Sequence, residues 1–131
     1  MRCVPSLEVD LDGAPGSEAR ARRAARRFLG ELAGLGRGRL SPQTCEDALL
    51  VVGELVGNAC RHAPGPCTLS MAVADAGVEI AVEDTSPELL HPAARPGPGG
   101  YGLLVVATIG HRVHAVRTAT GKIVETTVRD R

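Results

Sequence analysis

At 131 residues and 13.6 kDa, 44% hydrophobic and 23% charged, the chain holds enough apolar residues for one core and has no room for two. Fifteen basic and fifteen acidic residues cancel to a formal charge of zero, which removes any overall electrostatic reason to bind nucleic acid or an anionic membrane. Aromatic residues make up 2%, Phe28 and Tyr101 with no Trp, so the stacking platforms of single-stranded nucleic-acid binders are missing as well.

No run approaches the roughly 18 consecutive apolar residues of a membrane span, and the first residues lack an apolar signal region, so a cytoplasmic protein is expected. Cys3, Cys45, Cys60 and Cys67 are irregularly spaced without a C-x-x-C pair. They read as reduced, packed thiols rather than a disulfide framework or a zinc site.

In chain order, Val4 to Leu11 alternates apolar and polar residues, the period of a half-buried strand. Asp12 to Gly16 makes a turn, and Ser17 is placed to cap a helix in which Ala21, Ala24/Ala25, Phe28, Leu32 and Leu35 recur at helical spacing. The opposite face carries Arg20, Arg22, Arg23, Arg26 and Arg27, either a solvated surface or a docking surface for an acidic partner. Ser41-Pro42 opens a second helix, with Ser as cap and Pro in the first turn, and Glu46 and Asp47 are expected near the positive end of its dipole. Cys45, Leu49, Val52, Val56 and Ala59 then form one narrow apolar stripe.

His62 to Pro66 stops that helix. Thr68 to Ala74 and Val78 to Glu83 alternate around Asp75-Ala76-Gly77 as a β-hairpin. Thr85 to Gly102 is too rich in Pro and Gly for a regular element and reads as a functional loop. Leu103 to Ile109 returns as a short helix, and strands Arg112 to Thr118 and Ile123 to Val128 close the chain as a second hairpin around Ala119-Thr120-Gly121. Strands joined as hairpins with helices grouped together predict an α+β two-layer sandwich, a mostly antiparallel sheet with helices on one face.

Three clusters can carry chemistry. With the second helix's apolar stripe at 0°, Glu54 falls at about 180°, Asn58 at about 220° and Arg61 at about 160°, all away from the core. Such a face is what a solvated helix presents. It is equally a ligand face, where an amide oxygen suits a hard cation and a carboxylate can take a proton from a nucleophile. His62 follows at the helix end. In the second cluster, Val82-Glu83-Asp84-Thr85-Ser86-Pro87, Asp84 either closes its strand with an Asx turn or accepts an adenine amino group. The third, Gly99-Gly100-Tyr101-Gly102-Leu103-Leu104, runs from glycines into a helix and suits phosphate, but it fits neither the P-loop nor the dinucleotide fingerprint.

In this order and spacing, Glu54-Leu-Val-Gly-Asn58-Ala-Cys-Arg61-His62-Ala63, Asp84-x-Ser86-Pro87 and Gly100-Tyr101-Gly102-Leu103 resemble the GHKL superfamily of histidine kinase-like ATP-binding domains. More narrowly the chain looks like the small stand-alone anti-sigma factor serine/threonine kinases, over about residues 17–128 of a single domain spanning 1–131. The resemblance implies the Bergerat type of sandwich, ATP and Mg²⁺ as cofactors, and Glu54 as catalytic base. It implies that Asn58 holds Mg²⁺ against the phosphates, and that Asp84, with Ser86 beside it, reads adenine. Gly100, Tyr101, Gly102 and Leu103 would shape the phosphate side, with Arg61 and His62 near the nucleotide. Gly121-Lys122-x-Val124 resembles the closing turn and strand of the small kinases.

One departure stands out: histidine kinases carry D-x-G-x-G after the adenine-reading strand, and here Asp84-Thr85-Ser86-Pro87 has no glycine. The chain also lacks a phospho-acceptor helical hairpin. Two readings follow, a kinase acting on a serine or threonine of an anti-anti-sigma-type protein and also binding a sigma factor, or a non-catalytic module that uses nucleotide to set its shape and sequesters a partner. Neither involves direct contact with nucleic acid or membrane, and both are compatible with a homodimer.

Overall fold

The computed structural model describes residues 4–34, 40–63, 65–86, 106 and 108–130. Strand β1 (Ser6–Leu11), helices α1 (Ser17–Gly34) and α2 (Pro42–His62), and strands β2 (Cys67–Ala74), β3 (Gly77–Asp84), β4 (His111–Arg117) and β5 (Lys122–Arg129) follow in that order. The strands form one sheet, β1-β2-β3-β5-β4, antiparallel at every pairing. The expected α+β sandwich is therefore the architecture found. Of the short helix expected over Leu103 to Ile109, Val106, Thr108 and Ile109 are helical, and the rest lies outside the described residues.

Alternation in the strands becomes the two faces of the sheet. Leu11, Leu69, Met71, Val78, Ile80, Val82, Val124 and Val128 point to the helices and are buried, each contributing roughly 1.5–3 kcal/mol by leaving water. The register sets Glu8, Ser70, Ala81, Glu125 and His114 side by side on the other face. Arg112 has φ 57° where the β4–β5 register shifts, so the edge strand bends at a bulge there.

Both helix starts are tied to the sheet. Asp12 Oδ1 accepts from the Ala14 N–H at 2.9 Å and the Ser17 hydroxyl at 3.2 Å, and these two bonds, the Ala14 one first, hold its carboxyl below the usual range. Ser17 is thus a donor inside the helix and not its cap; the Gly16 carbonyl accepts the first helical bond, from Arg20 N–H. At α2, Ser41 Oγ accepts from Thr44 N–H with Pro42 in the first turn, as expected, while Asp130 at the end of β5 accepts from Ser41 N–H and Thr44 Oγ1, each at 2.9 Å. Asp47 lies beyond the first turn and accepts from Gln43 Nε2 at 2.8 Å, so the dipole does not account for it.

Helix α2 is the structural keel. Its buried residues run from Thr44 through Ala48, Val51, Val52, Gly53, Leu55, Val56, Gly57 and Asn58 to Ala59, far wider than the expected stripe, of which Cys45 and Leu49 are only half-buried. It packs on β2, β3 and β5 along one side and on α1 along another. Small residues permit that second contact. A Cβ at Gly53 would sit 3.2 Å from Arg22 Cδ, and one at Gly57 3.1 Å from Glu18 Oε2. From α1, Ala21, Ala25, Leu29 and Leu32 enter the core, with Leu29 going deeper than the neighbouring Phe28, while Arg20, Arg22, Arg23, Arg26 and Arg27 remain exposed. Among the described residues, no helix is long and apolar enough to cross a membrane.

Candidate functional site

The C-terminal half of α2 carries Glu54, Asn58, Arg61 and His62. Residues four apart on a helix are neighbours, so Glu54 lies one turn before Asn58 on the same side. Glu54 is half-buried, and among the described residues its carboxylate has no hydrogen-bond or ion-pair partner. Asn58 departs from the outward position expected of it. It is 2% exposed, because α2 is wedged between the sheet and α1 and its buried arc reaches that far.

Arg61 Nη2 donates to Asn58 Oδ1 at 3.0 Å, and Asn58 Nδ2 is buried with no partner among the described residues. Such a donor costs about 1–3 kcal/mol unless something accepts from it. The Arg61 guanidinium is exposed and has no carboxylate within ion-pairing distance among the described residues, although Glu18 faces it across Gly57. His62 is exposed at the helix end.

The second half of the site is at the facing ends of β3 and β5. Asp84 and Lys122 are register partners, both on the helix side of the sheet. Lys122 is the chain's one lysine, and its Nζ lies 3.0 and 2.9 Å from the two Asp84 carboxylate oxygens and 3.4 Å from the Ser86 carbonyl. Ser86 N–H donates to Asp84 Oδ1 at 2.9 Å, the Asx turn foreseen as one of two readings of Asp84. The side chains are 1% and 4% exposed. Lys122 therefore spends its donors inside the chain, while among the described residues Asp84 Oδ2 has Lys122 as its one partner and keeps a second lone pair. Gly121 is required beside them, since a Cβ there would lie 1.9 Å from the Asp84 carbonyl oxygen.

Cys67, at the start of β2, links the two halves. Its thiol is pushed up to about 11, first by burial, then by the neighbouring Cys60 of α2, and then by Asp84. The end of α2 and the end of β3 are thus within electrostatic reach of one thiol. Gly100, Tyr101, Gly102 and Leu103, expected on the phosphate side, lie outside the described residues.

The ion pair to Asp84 escaped the sequence reading. Lys122 was legible as part of a closing turn, and its being the single lysine in a chain of arginines was the available signal, but its partner depends on the β3–β5 register. Away from these residues, a depression of about 470 Å³ lies against the sheet, with Glu8, Ser70, Ala81, Arg112, His114 and Glu125 in its lining. It includes none of the site residues.

The sequence resemblance implies a divalent cation held by Asn58. Asn58 offers one oxygen, and that oxygen already receives a guanidinium N–H, which sets a positive charge where the cation would bind. Among the described residues, no group of three or more His, Cys, Asp or Glu side chains could hold a metal ion. The expectation that Asn58 holds Mg²⁺ through Oδ1 does not fit this geometry.

The comparisons with known proteins agree with the fold. The crystal structure of the RsbU and RsbW domains of Rv1364c from Mycobacterium tuberculosis superposes with a TM-score of 0.70 at 19% identity, over 96% of this chain and 32% of that one. This chain thus spans about a third of that protein's chain, and the likeness is one of fold. No curated protein matches. The family model for the histidine kinase-like ATPase domain matches residues 15–128, from the entry to α1 to the end of β5, including both halves of the site. With a match over residues 15–128 of its 131, the chain belongs to the histidine kinase-like ATPase domain family, and ATP binding is the property that the family brings to it.

Proposed function

We propose that the protein is a regulatory kinase of the anti-sigma factor type, acting in the cytoplasm, which transfers the γ-phosphoryl group of ATP to a serine or threonine of an anti-anti-sigma-type protein and also binds a sigma factor. The observation that carries the catalytic part is Glu54, a half-buried carboxylate without a partner among the described residues, one helical turn before Asn58, to which Arg61 donates from the next turn. A free carboxylate beside an anion-binding cluster is what phosphoryl transfer to a hydroxyl asks for. The cluster holds the phosphates, and the carboxylate accepts the hydroxyl proton as the oxygen attacks. At the other end of the nucleotide, the uncommitted lone pair of Asp84 Oδ2 accepts from the adenine amino group, in a carboxylate that Lys122 and Ser86 hold still.

The test is radiolabel transfer from γ-labelled ATP to purified anti-anti-sigma-type proteins, with ATP binding measured in parallel. Glu54→Ala should bind ATP as the wild type does and lose transfer by about 10²–10⁴-fold. Full transfer by Glu54→Ala would remove the assigned role.

The second reading, a module that binds nucleotide and sequesters a partner without catalysis, is favoured by one observation. The segment after Asp84 has no glycine, and Asp84 is engaged within the chain by Lys122. ATP binding and partner capture with no label transferred by the wild type would select it.

A further inference from the structure

We infer that Arg61 takes the place of a divalent cation at the nucleotide phosphates, so that this chain binds ATP without Mg²⁺. The inference rests on the ATP-binding reading and concerns how the phosphate end is neutralised.

Three observations point the same way. Asn58 Nδ2 is buried and has no acceptor among the described residues, and an N–H donor is completed by an acceptor such as a phosphate oxygen, not by a metal ion. The amide orientation is set by its neighbour: Arg61 can only donate, so the atom it meets at 3.0 Å is the oxygen, and the nitrogen is the atom left over. The guanidinium itself is exposed and without a carboxylate partner among the described residues, which leaves its remaining N–H groups and its charge for a ligand. An arginine fork beside an amide N–H makes an oxyanion receptor, and guanidinium–phosphate bonds are charge-assisted and geometrically matched. The same residue competes with a metal, because it sets a positive charge on the one amide oxygen that would ligate it. Arg61 also stands in the last turn of α2, where a cation favours the helix dipole. That role would contribute stability and leave metal dependence untouched, so the two roles separate in one experiment.

The experiment is calorimetric titration of the full chain with ATP, once in excess EDTA and once in excess MgCl₂, for the wild type and for Arg61→Met and Arg61→Lys. The wild type should bind ATP about equally in the two buffers. Arg61→Met should lose about 10- to 100-fold in EDTA and recover part of that in MgCl₂, because Asn58 Oδ1 is then free for the cation. Arg61→Lys, which keeps the charge and loses the fork, should fall between. Thermal melts of the ligand-free variants register the stability contribution of Arg61, its dipole interaction and its bond to Asn58 together, apart from any ligand. Wild-type binding that collapses in EDTA overturns the inference while leaving ATP binding intact, and so does an Arg61→Met variant whose affinity in EDTA is unchanged. Absence of ATP binding in both buffers overturns the ATP-binding reading and this inference with it.

Discussion

Two polar pairs mark the two ends of the site, and they are built on opposite terms. Asp84 and Lys122 neutralise each other at the end of the sheet, with both side chains nearly sealed from water and the lysine's donors all directed within the chain. Asn58 and Arg61, at the end of α2, share one hydrogen bond and among the described residues leave a buried N–H without an acceptor and a guanidinium without a carboxylate. The donors of the first pair are all matched within the chain, and among the described residues the second pair leaves a buried donor unmatched.

Breaking the complete pair should have the largest effect. Lys122→Met leaves a carboxylate buried without its counter-charge, and the expected loss in urea unfolding free energy is about 3–5 kcal/mol. Removing both charges, as Lys122→Met with Asp84→Leu, should recover most of that loss and abolish adenine selectivity. A single-variant loss below about 1 kcal/mol, the range of an exposed pair, would mean that the two ends of the site do not differ as described.

The incomplete pair predicts the reverse. Asn58→Leu removes the unmatched amide from the interior, so unfolding free energy should stay level or rise by about 1–2 kcal/mol, while ATP affinity falls by about tenfold or more. Stability and binding would then move in opposite directions, as expected where a site stores an unsatisfied group for its ligand. Clear destabilisation by Asn58→Leu would show that the amide serves packing.

How far the sequence could anticipate this division follows from the kind of information each part needs. Both hairpins and the Ser41-Pro42 helix start depend on neighbours in sequence, and their alternation and capping chemistry placed β2, β3, β5 and α2 to within a residue or two. The three motifs pointed to the family because their order along the chain survives folding. Burial of Asn58 is not legible from a helical angle taken from one apolar stripe, which treats α2 as having a single neighbour, whereas it packs on both the sheet and α1. Gly53 and Gly57, four apart, were the sign that α1 approaches a second side. The Asp84–Lys122 pair required knowing which residue of β5 faces which residue of β3, and register is a property of the assembled sheet.

The smallest effect tests the region between the two pairs. Cys67 is buried at the start of β2, near Cys60 of α2 and within reach of the Asp84 charge, and its thiol is pushed up to about 11. Alkylation requires the thiolate. At pH 8, three units below that value, on the order of one molecule in a thousand carries it, so iodoacetamide labelling of Cys67 in the folded chain should be very slow and rise about tenfold per pH unit until it levels off near pH 11. The same shift sets a direction for stability. Between the ordinary thiol value of 9.0 and about 11, the unfolded chain has released the Cys67 proton and the folded chain still holds it, so the unfolded state binds fewer protons and stability falls as pH rises across that window. Mass-spectrometric labelling against pH, read beside urea midpoints at the same pH values, checks both. A Cys67 labelling rate that levels off by pH 9 would mean that water reaches the seam between the end of α2 and the end of β3. The sealed pair and the open pair would then share one solvent environment, and the contrast between them would have to come from their bonding alone.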